Sequence, residues 1–374
     1  MFEFPESGGW LTDARLITPR GVREGAVRVV RGRIAAVAQR APRGAAVQRL
    51  RGAWLAPGLI DLHVWGDPEA VSRDAVRQGT TSFLTTLGPA ARTALARQIR
   101  MRTAAGPLAG AQCLGVHLEG PFVNRRRRGA LPARWMRAPT VTELRRLREQ
   151  SSGCLRMITL APELAQAETA IRWCVRHRIV VSLGHSEATA MIAASAVDAG
   201  ARAVTHVFNG MPPWHHRRPS LVDVALLDPR VITMVIADGI HVGPWALQML
   251  MRAKDPERVA LVTDSIRRAG WPVVKRQGAF YLPAPRGARQ AGRRDGTLAG
   301  SDLGLLQAVC NMVRWTGVPV ETAVRMASTV PARLLGLRDR GAIAVGPRAD
   351  LVAFDAGFRP VMTMVGGRVV YERT

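Results

Sequence analysis

Six ionisable residues each close, or follow shortly after, a short apolar run. They are His63 in IDLHVWG, Glu119 in GVHLEGP, His185 in SLGHSE, His206 in VTHVFN, His241 in DGIHV and Asp264 in LVTDS. A carboxylate with two or three imidazoles is a donor set for a borderline divalent ion, most simply zinc. An additional aspartate, Asp264, would serve as a proton shuttle to water activated by such an ion. Each residue also has a plainer reading. A lone histidine near a strand end is more often a hydrogen-bonded structural group, Glu119 before Gly-Pro can cap a turn, and Asp264 can cap a helix start. Six such positions at one end of a fold argue for a site rather than for six coincidences. His215 and His216, by contrast, read as a solvated loop pair.

The elements that must position these residues can be traced in the sequence. From about residue 56, apolar runs such as LIDLHV, TSFLTTL, CLGVHLEG, RMITLAPE and IVVSLGH alternate with helical stretches such as ARTALARQIRMRTA, VTELRRLREQ and AETAIRWCVRHR. The unit recurs about eight times, and the runs lack clean alternation, as parallel strands buried on both faces do. An α/β fold follows, a (β/α)8 TIM-like barrel over 56–337, whose C-terminal strand ends are where functional groups converge. Residues 14–55 and the closing stretches GAIAVGPRADLVAFD and TMVGGRVVYE read as short strands with Gly and Pro turns. They predict a small β-sandwich domain built from both termini, 1–55 with 338–374. The Gly/Arg-rich segment 271–297 reads as hairpin or loop.

Composition narrows the function classes. The 374 residues are 47% hydrophobic and 22% charged, as in a globular chain. The formal charge is +25, yet Lys254 and Lys275 are the only lysines among the 53 basic residues. Such a skew arises from GC-rich coding without any binding role. Aromatics are 5% and the densest arginine run, Arg125 to Arg128, is four residues long, so neither a stacking platform nor a basic arm for specific nucleic-acid binding is indicated. There is no apolar run of membrane-spanning length, and MFEFPESGGW lacks a basic stretch followed by an apolar one, so neither a membrane span nor a secretory signal is expected. Four cysteines without CxxC spacing exclude a disulfide scaffold, and the expected compartment is the cytoplasm.

At the same residues the sequence resembles the N-acetylglucosamine-6-phosphate deacetylases of the amidohydrolase superfamily. APGLIDLHVWG is similar to the family's PGFIDxHxHG strand and GVHLEGPFVN to its GxHLEGPF motif. SLGHSEAT, AVTHVFNGMPPWHHRRP, IADGIHV, LVTDS, GTLAGSDLGL, MASTVPARLLGL and GAIAVGPRADLVAFD follow in order. The resemblance implies the barrel with its small sandwich, and hydrolysis of the acetamide of N-acetylglucosamine 6-phosphate. It implies a divalent metal on Glu119, His185 and His206, one zinc in the simplest case, with Fe, Mn or Co accepted by the same ligands. Asp264 is the implied proton shuttle. His241, Asn209, Gly210 and Arg217 are implied on the substrate side, Arg217 as a phosphate ligand reaching a neighbouring subunit and hence a homodimer.

The sequence also departs from the family pattern. His-x-His on the first strand is here His63-Val64-Trp65, and an indole N–H is donor only, so it cannot ligate a metal. His63 is then either half of a second metal site or a group behind the first. Leu131 stands at a position that is usually polar, Gly210 replaces alanine, and Arg218 and Ser220 replace Glu and Gly. Two alternatives stay open on these departures: an amidohydrolase with a different N-acyl substrate, and a catalytically degenerate barrel that binds polyanions.

Overall fold

The structure is a computed structural model that describes residues 8–103, 108–283 and 296–373. Its larger sheet begins with Leu59–Gly66 and Thr80–Leu87, every residue of which is buried. Such strands have no solvated face, which accounts for their unbroken apolar and threonine-rich character. They run parallel to one another and to Gln112–Glu119, Leu155–Leu160, Val180–Leu183, Ala203–Val204, Ile232–Val235 and Val259–Leu261 in that order. The chain beyond Val259–Leu261 then returns to the first strand. The Asp264 N–H donates to the His63 carbonyl at 2.9 Å, and Ser265 pairs in parallel with Val64. This closure makes the curled sheet a TIM-like core and places Asp264 beside His63, 201 residues earlier in the chain.

A buried carboxylate pins the closure. Asp61 accepts from the His63 N–H at 3.1 Å and, across the seam, from the Thr263 N–H at 3.3 Å and the Thr263 hydroxyl. Burial pushes its carboxyl up from 3.8 to about 6, against these hydrogen bonds, which favour the anion. Between pH ~4 and ~6 the unfolded chain has released this proton while the folded chain keeps it. Asp61 therefore subtracts stability as pH rises through that window and adds no slope above or below it. Denaturation curves of wild type and Asp61→Asn should differ by an amount that falls by about 2 kcal/mol from pH 4 to 6.5. A difference independent of pH would contradict the shift.

Helices cover the outside of the barrel, and their boundaries follow local chemistry. Asp67 caps Pro68–Ala75, accepting from the Glu69 and Ala70 N–H groups, with proline in the first turn. Ser220 and Asp223 form a capping box on Leu221–Leu227. The family departure at Ser220 thus has a structural use, starting this helix. The Gly/Arg-rich segment contains a hairpin, Val274–Arg276 with Ala279–Tyr281, which joins the barrel sheet through Leu298–Ser301. Its residues 284–295 lie outside the described set.

A second sheet of seven strands takes Gly9–Thr18, Gly21–Val30, Arg33–Ala38 and Val47–Pro57 from the N-terminal part. It takes Leu351–Phe354, Pro360–Val365 and Arg368–Glu372 from the C-terminal part. The two sets join where Leu351–Phe354 pairs antiparallel with Val47–Pro57. Leu11, Leu16, Val27, Ile34, Leu55 and Met364 are among the residues of its own apolar core. No helix among the described residues is long and apolar enough to cross a membrane.

Candidate metal centre and proton shuttle

The strand Gln112–Glu119 ends on Glu119, which is 3% exposed. His185 and His206 each follow their strands by two residues, after Leu183 and Val204. Both take left-handed backbone conformations, φ +48° and +28°, as does Asp264 at +48°. Non-glycine residues are uncommon there, and three of them at one end of a barrel mark a place where backbone strain is tolerated to aim side chains. The result is compact. Glu119 Oε1 stands 2.8 Å from His206 Nε2 and 3.0 Å from His185 Nε2. One ligand atom from each residue lies within 4.8 Å of the others, and all three residues are buried.

The donor chemistry of this cluster fits a divalent ion. His185 Nδ1 lies 2.6 Å from the Arg127 carbonyl. A carbonyl only accepts, so Nδ1 carries a proton, and Nε2 faces the Glu119 carboxylate either as the second N–H of an imidazolium or, in the neutral ring, as a lone pair. With the ring neutral, a divalent ion shared by Nε2 and the carboxylate would satisfy both. His206 Nδ1 is buried without a hydrogen-bond partner among the described residues. One carboxylate oxygen and two imidazole nitrogens suit zinc and its neighbours in the first transition row.

His63 links this cluster to Asp264. Its ring is fully buried, with Nε2 at 3.3 Å from Asp264 Oδ1 and 3.6 Å from Glu119 Oε2. Burial opposes charge on this imidazole, but the Glu119 and Asp264 carboxylates outweigh it and push His63 up to about 10. Glu119 is held well below the usual carboxylate range, because the surrounding imidazoles outweigh the cost of burial. Behind His63 lies His117, with ring centroids 4.7 Å apart. His117 Nδ1 donates to the Leu62 carbonyl at 2.9 Å, and Nε2 lies 2.8 Å from the Thr159 hydroxyl, which meets Thr205 at 2.7 Å. Burial, and then the neighbouring His63, press His117 down to about 3, so it stays neutral. This places a fixed, uncharged network under the charged site.

The loops around the cluster are tied down. The Ser186 hydroxyl donates to Glu163 at 2.7 Å, the Asn124 amide does so at 2.8 Å, and the Arg127 side chain pairs with Glu187. Gly210 sits at φ +63°, and a Cβ there would lie 2.8 Å from His185 Nδ1. Glycine at this position therefore lets the 206–211 loop approach the His185 ring. Asn209 bonds its own loop at the Val207 carbonyl. His241 lies in the loop after Ile232–Val235 rather than at a strand end, and Asp238 fixes it at 2.6 Å from its Nδ1. Arg217 is exposed and contacts His216 at 3.1 Å. Among the described residues no hydrogen bond or ion pair joins Arg217 or His241 to the cluster.

The structure adds groups that sequence reasoning did not single out: the Arg127 carbonyl, Asp61 with Thr263, and His117. His117 was legible in principle, since it stands two residues before Glu119 on one strand and so shares its face. A backbone carbonyl leaves no trace in sequence.

Together, the fold and site define a barrel hydrolase of the metal-dependent kind, and comparison with known proteins agrees. The sequence pattern of the amidohydrolase family matches residues 54–370. N-acetylglucosamine-6-phosphate deacetylase of Bacillus subtilis is 32% identical over 96% of both chains. N-acetylgalactosamine-6-phosphate deacetylase of Escherichia coli O157:H7 is 35% identical, also over 96% of both. Among solved structures, a variant of the Mycobacterium smegmatis N-acetyl-D-glucosamine-6-phosphate deacetylase in complex with N-acetyl-D-glucosamine-6-phosphate is 32% identical. It aligns with a TM-score of 0.84 over 97% of this chain and 99% of that one. The chain belongs to the N-acetylglucosamine-6-phosphate deacetylase family of the amidohydrolase superfamily.

Proposed function

We propose that this deacetylase hydrolyses the acetamide of N-acetylglucosamine 6-phosphate, giving glucosamine 6-phosphate and acetate. The observation that carries the reading is the buried cluster of Glu119, His185 and His206, with the Asp264 carboxylate set beside it through His63. The similarity to a structure that contains this sugar phosphate supports the choice of substrate.

Glu119, His185 and His206 would hold the ion. When bound, it supplies Lewis-acid polarisation of the acetyl carbonyl and acidifies a water. Asp264 takes a proton from the attacking water as the water oxygen adds to the carbonyl carbon. The same carboxyl returns the proton to the sugar nitrogen as the C–N bond breaks, so the amine leaves neutral with acetic acid, whose remaining proton then passes to the free amine or to solvent to give acetate. Asp264 Oδ1 is engaged by its neighbours, which leaves Oδ2 to carry the proton. His241, oriented by Asp238, and Asn209 and Gly210 serve the sugar side.

Arg217 is the proposed phosphate ligand, its planar fork matching a dianion. Its exposed position suits a site completed across two subunits. Apolar side chains are exposed on the same loop and on three successive neighbouring helices: Trp214 on the loop, Met191 on Ala190–Asp198, Leu227 at the end of Leu221–Leu227, and Trp245 on Pro244–Ala253. They suit a homodimer formed on this side of the barrel. Arg217→Met should raise KM for the phosphorylated sugar by about 10-fold or more with kcat nearly unchanged. It should leave the unphosphorylated sugar untouched, and light scattering should give a dimer mass for both proteins. An equal loss on both sugars would contradict the assignment.

The test of the function itself is amine release from N-acetylglucosamine 6-phosphate in competition with the N-acetylgalactosamine epimer. Preference for the gluco sugar supports the reading. Preference for the galacto sugar would keep the chemistry and change the substrate.

A further inference from the structure

The residue that breaks the His-x-His pattern has a contact of its own. Trp65, 6% exposed, donates its indole N–H to Asp264 Oδ1 at 2.9 Å. The two residues come from the first and eighth barrel strands, held side by side by the bond from the Asp264 N–H to the His63 carbonyl. The indole is itself fixed. It packs at 4.8 Å between centroids against Trp271 and belongs to a buried cluster with Val123, Leu131, Met136 and Ile266. Gly88 lies close against its outer edge, where a Cβ would come within 3.0 Å of the ring. Leu131, at a position the family pattern makes polar, thus helps to build the wall that holds Trp65.

We propose that Trp65 is a positioning residue for proton transfer: its indole N–H anchors Asp264 Oδ1 and so presents Oδ2 to the water and the leaving nitrogen. The inference rests on the proposed role of Asp264 in deacetylation. A carboxylate that must take a proton and deliver it to a different atom gains from a fixed plane, because misplacement of the proton donor costs rate rather than binding. An indole N–H suits this task. It is a donor with no acceptor capacity, so it can hold one oxygen without ever competing for the proton. The ring also fills the place of a second ligand on that strand, and the site gains an anchor for its proton shuttle where a histidine would have ligated.

The test uses the metal-loaded protein and Trp65→Phe, which keeps an aromatic ring in the cluster and removes the N–H. One hydrogen bond to a charged group corresponds to about a 10- to 100-fold loss. It should fall on kcat, with KM within about threefold and metal content unchanged. In an Asp264→Ala background the same substitution should cost nothing further, since the group it positions is gone. A second readout needs no activity. The indole N–H resonance that disappears in Trp65→Phe should move upfield in Asp264→Ala as its charged acceptor is lost. Unchanged kcat in Trp65→Phe, or an equal loss in both backgrounds, would overturn the inference. If wild type turns over no acetamido sugar phosphate, the deacetylase reading fails. The resonance then decides the contact alone, and a signal indifferent to Asp264 would overturn it too.

Discussion

Asp264→Asn is expected to lower kcat by about 10³- to 10⁴-fold while the protein retains its divalent ion and its substrate affinity. The geometry explains why the loss should be confined to turnover. Asp264 stands outside the cluster of Glu119, His185 and His206 and reaches it through His63. Asparagine keeps an oxygen to accept from the Trp65 indole, so the seam between the first and eighth strands has no reason to open. What it cannot do is take a proton from water and return it to the sugar nitrogen. An amine expelled without that proton is a very poor leaving group, so no other interaction in the site compensates. Steady-state kinetics with metal analysis on the same sample checks this. Loss of the ion in a folded variant would place Asp264 among the ligands and remove its role as shuttle.

Glu119→Gln is expected to weaken ion retention by more than about 100-fold and to abolish turnover with it. A carboxylate supplies charge and lone pairs toward His185 Nε2 and His206 Nε2. An amide supplies neither charge nor two acceptors. Its NH₂ group can instead donate to the imidazole lone pairs, which closes the cluster without a cation. After gel filtration, elemental analysis should find about one ion per wild-type chain, since Trp65 cannot serve a second site. The variant should carry almost none. Full retention by the variant would mean that the ion lies elsewhere.

Much of the fold is legible in the sequence because its signals are local. Unbroken apolar runs betray strands buried on both faces, and Leu59–Gly66 and Thr80–Leu87 are buried throughout. Helices such as Val141–Gln150 and Ala167–Arg176 match the amphipathic stretches that predict them. The six candidate residues were legible for a related reason, since each closes or follows a strand and barrel strands converge, whereas the family resemblance singled out Glu119, His185 and His206 among them. What sequence could not give is anything that depends on closure. The Trp65 to Asp264 bond joins residues 199 positions apart, and its acceptor is set by a left-handed turn at Asp264. Likewise, His185 is oriented by a carbonyl in the arginine run, whose side chains suggested nothing. The use of glycine at 210 shows only when the loop is seen against His185. His241 reads as a strand-end residue, yet the strand stops at Val235 and Asp238 holds the histidine in the loop.

The measurement that reaches the central claim most directly is amine release from N-acetylglucosamine 6-phosphate by the zinc-loaded protein, repeated after chelation and zinc restoration. The account predicts robust turnover that disappears with the ion, returns with it, and is far weaker on unphosphorylated N-acetylglucosamine. A folded, zinc-bound protein that releases no amine would contradict it.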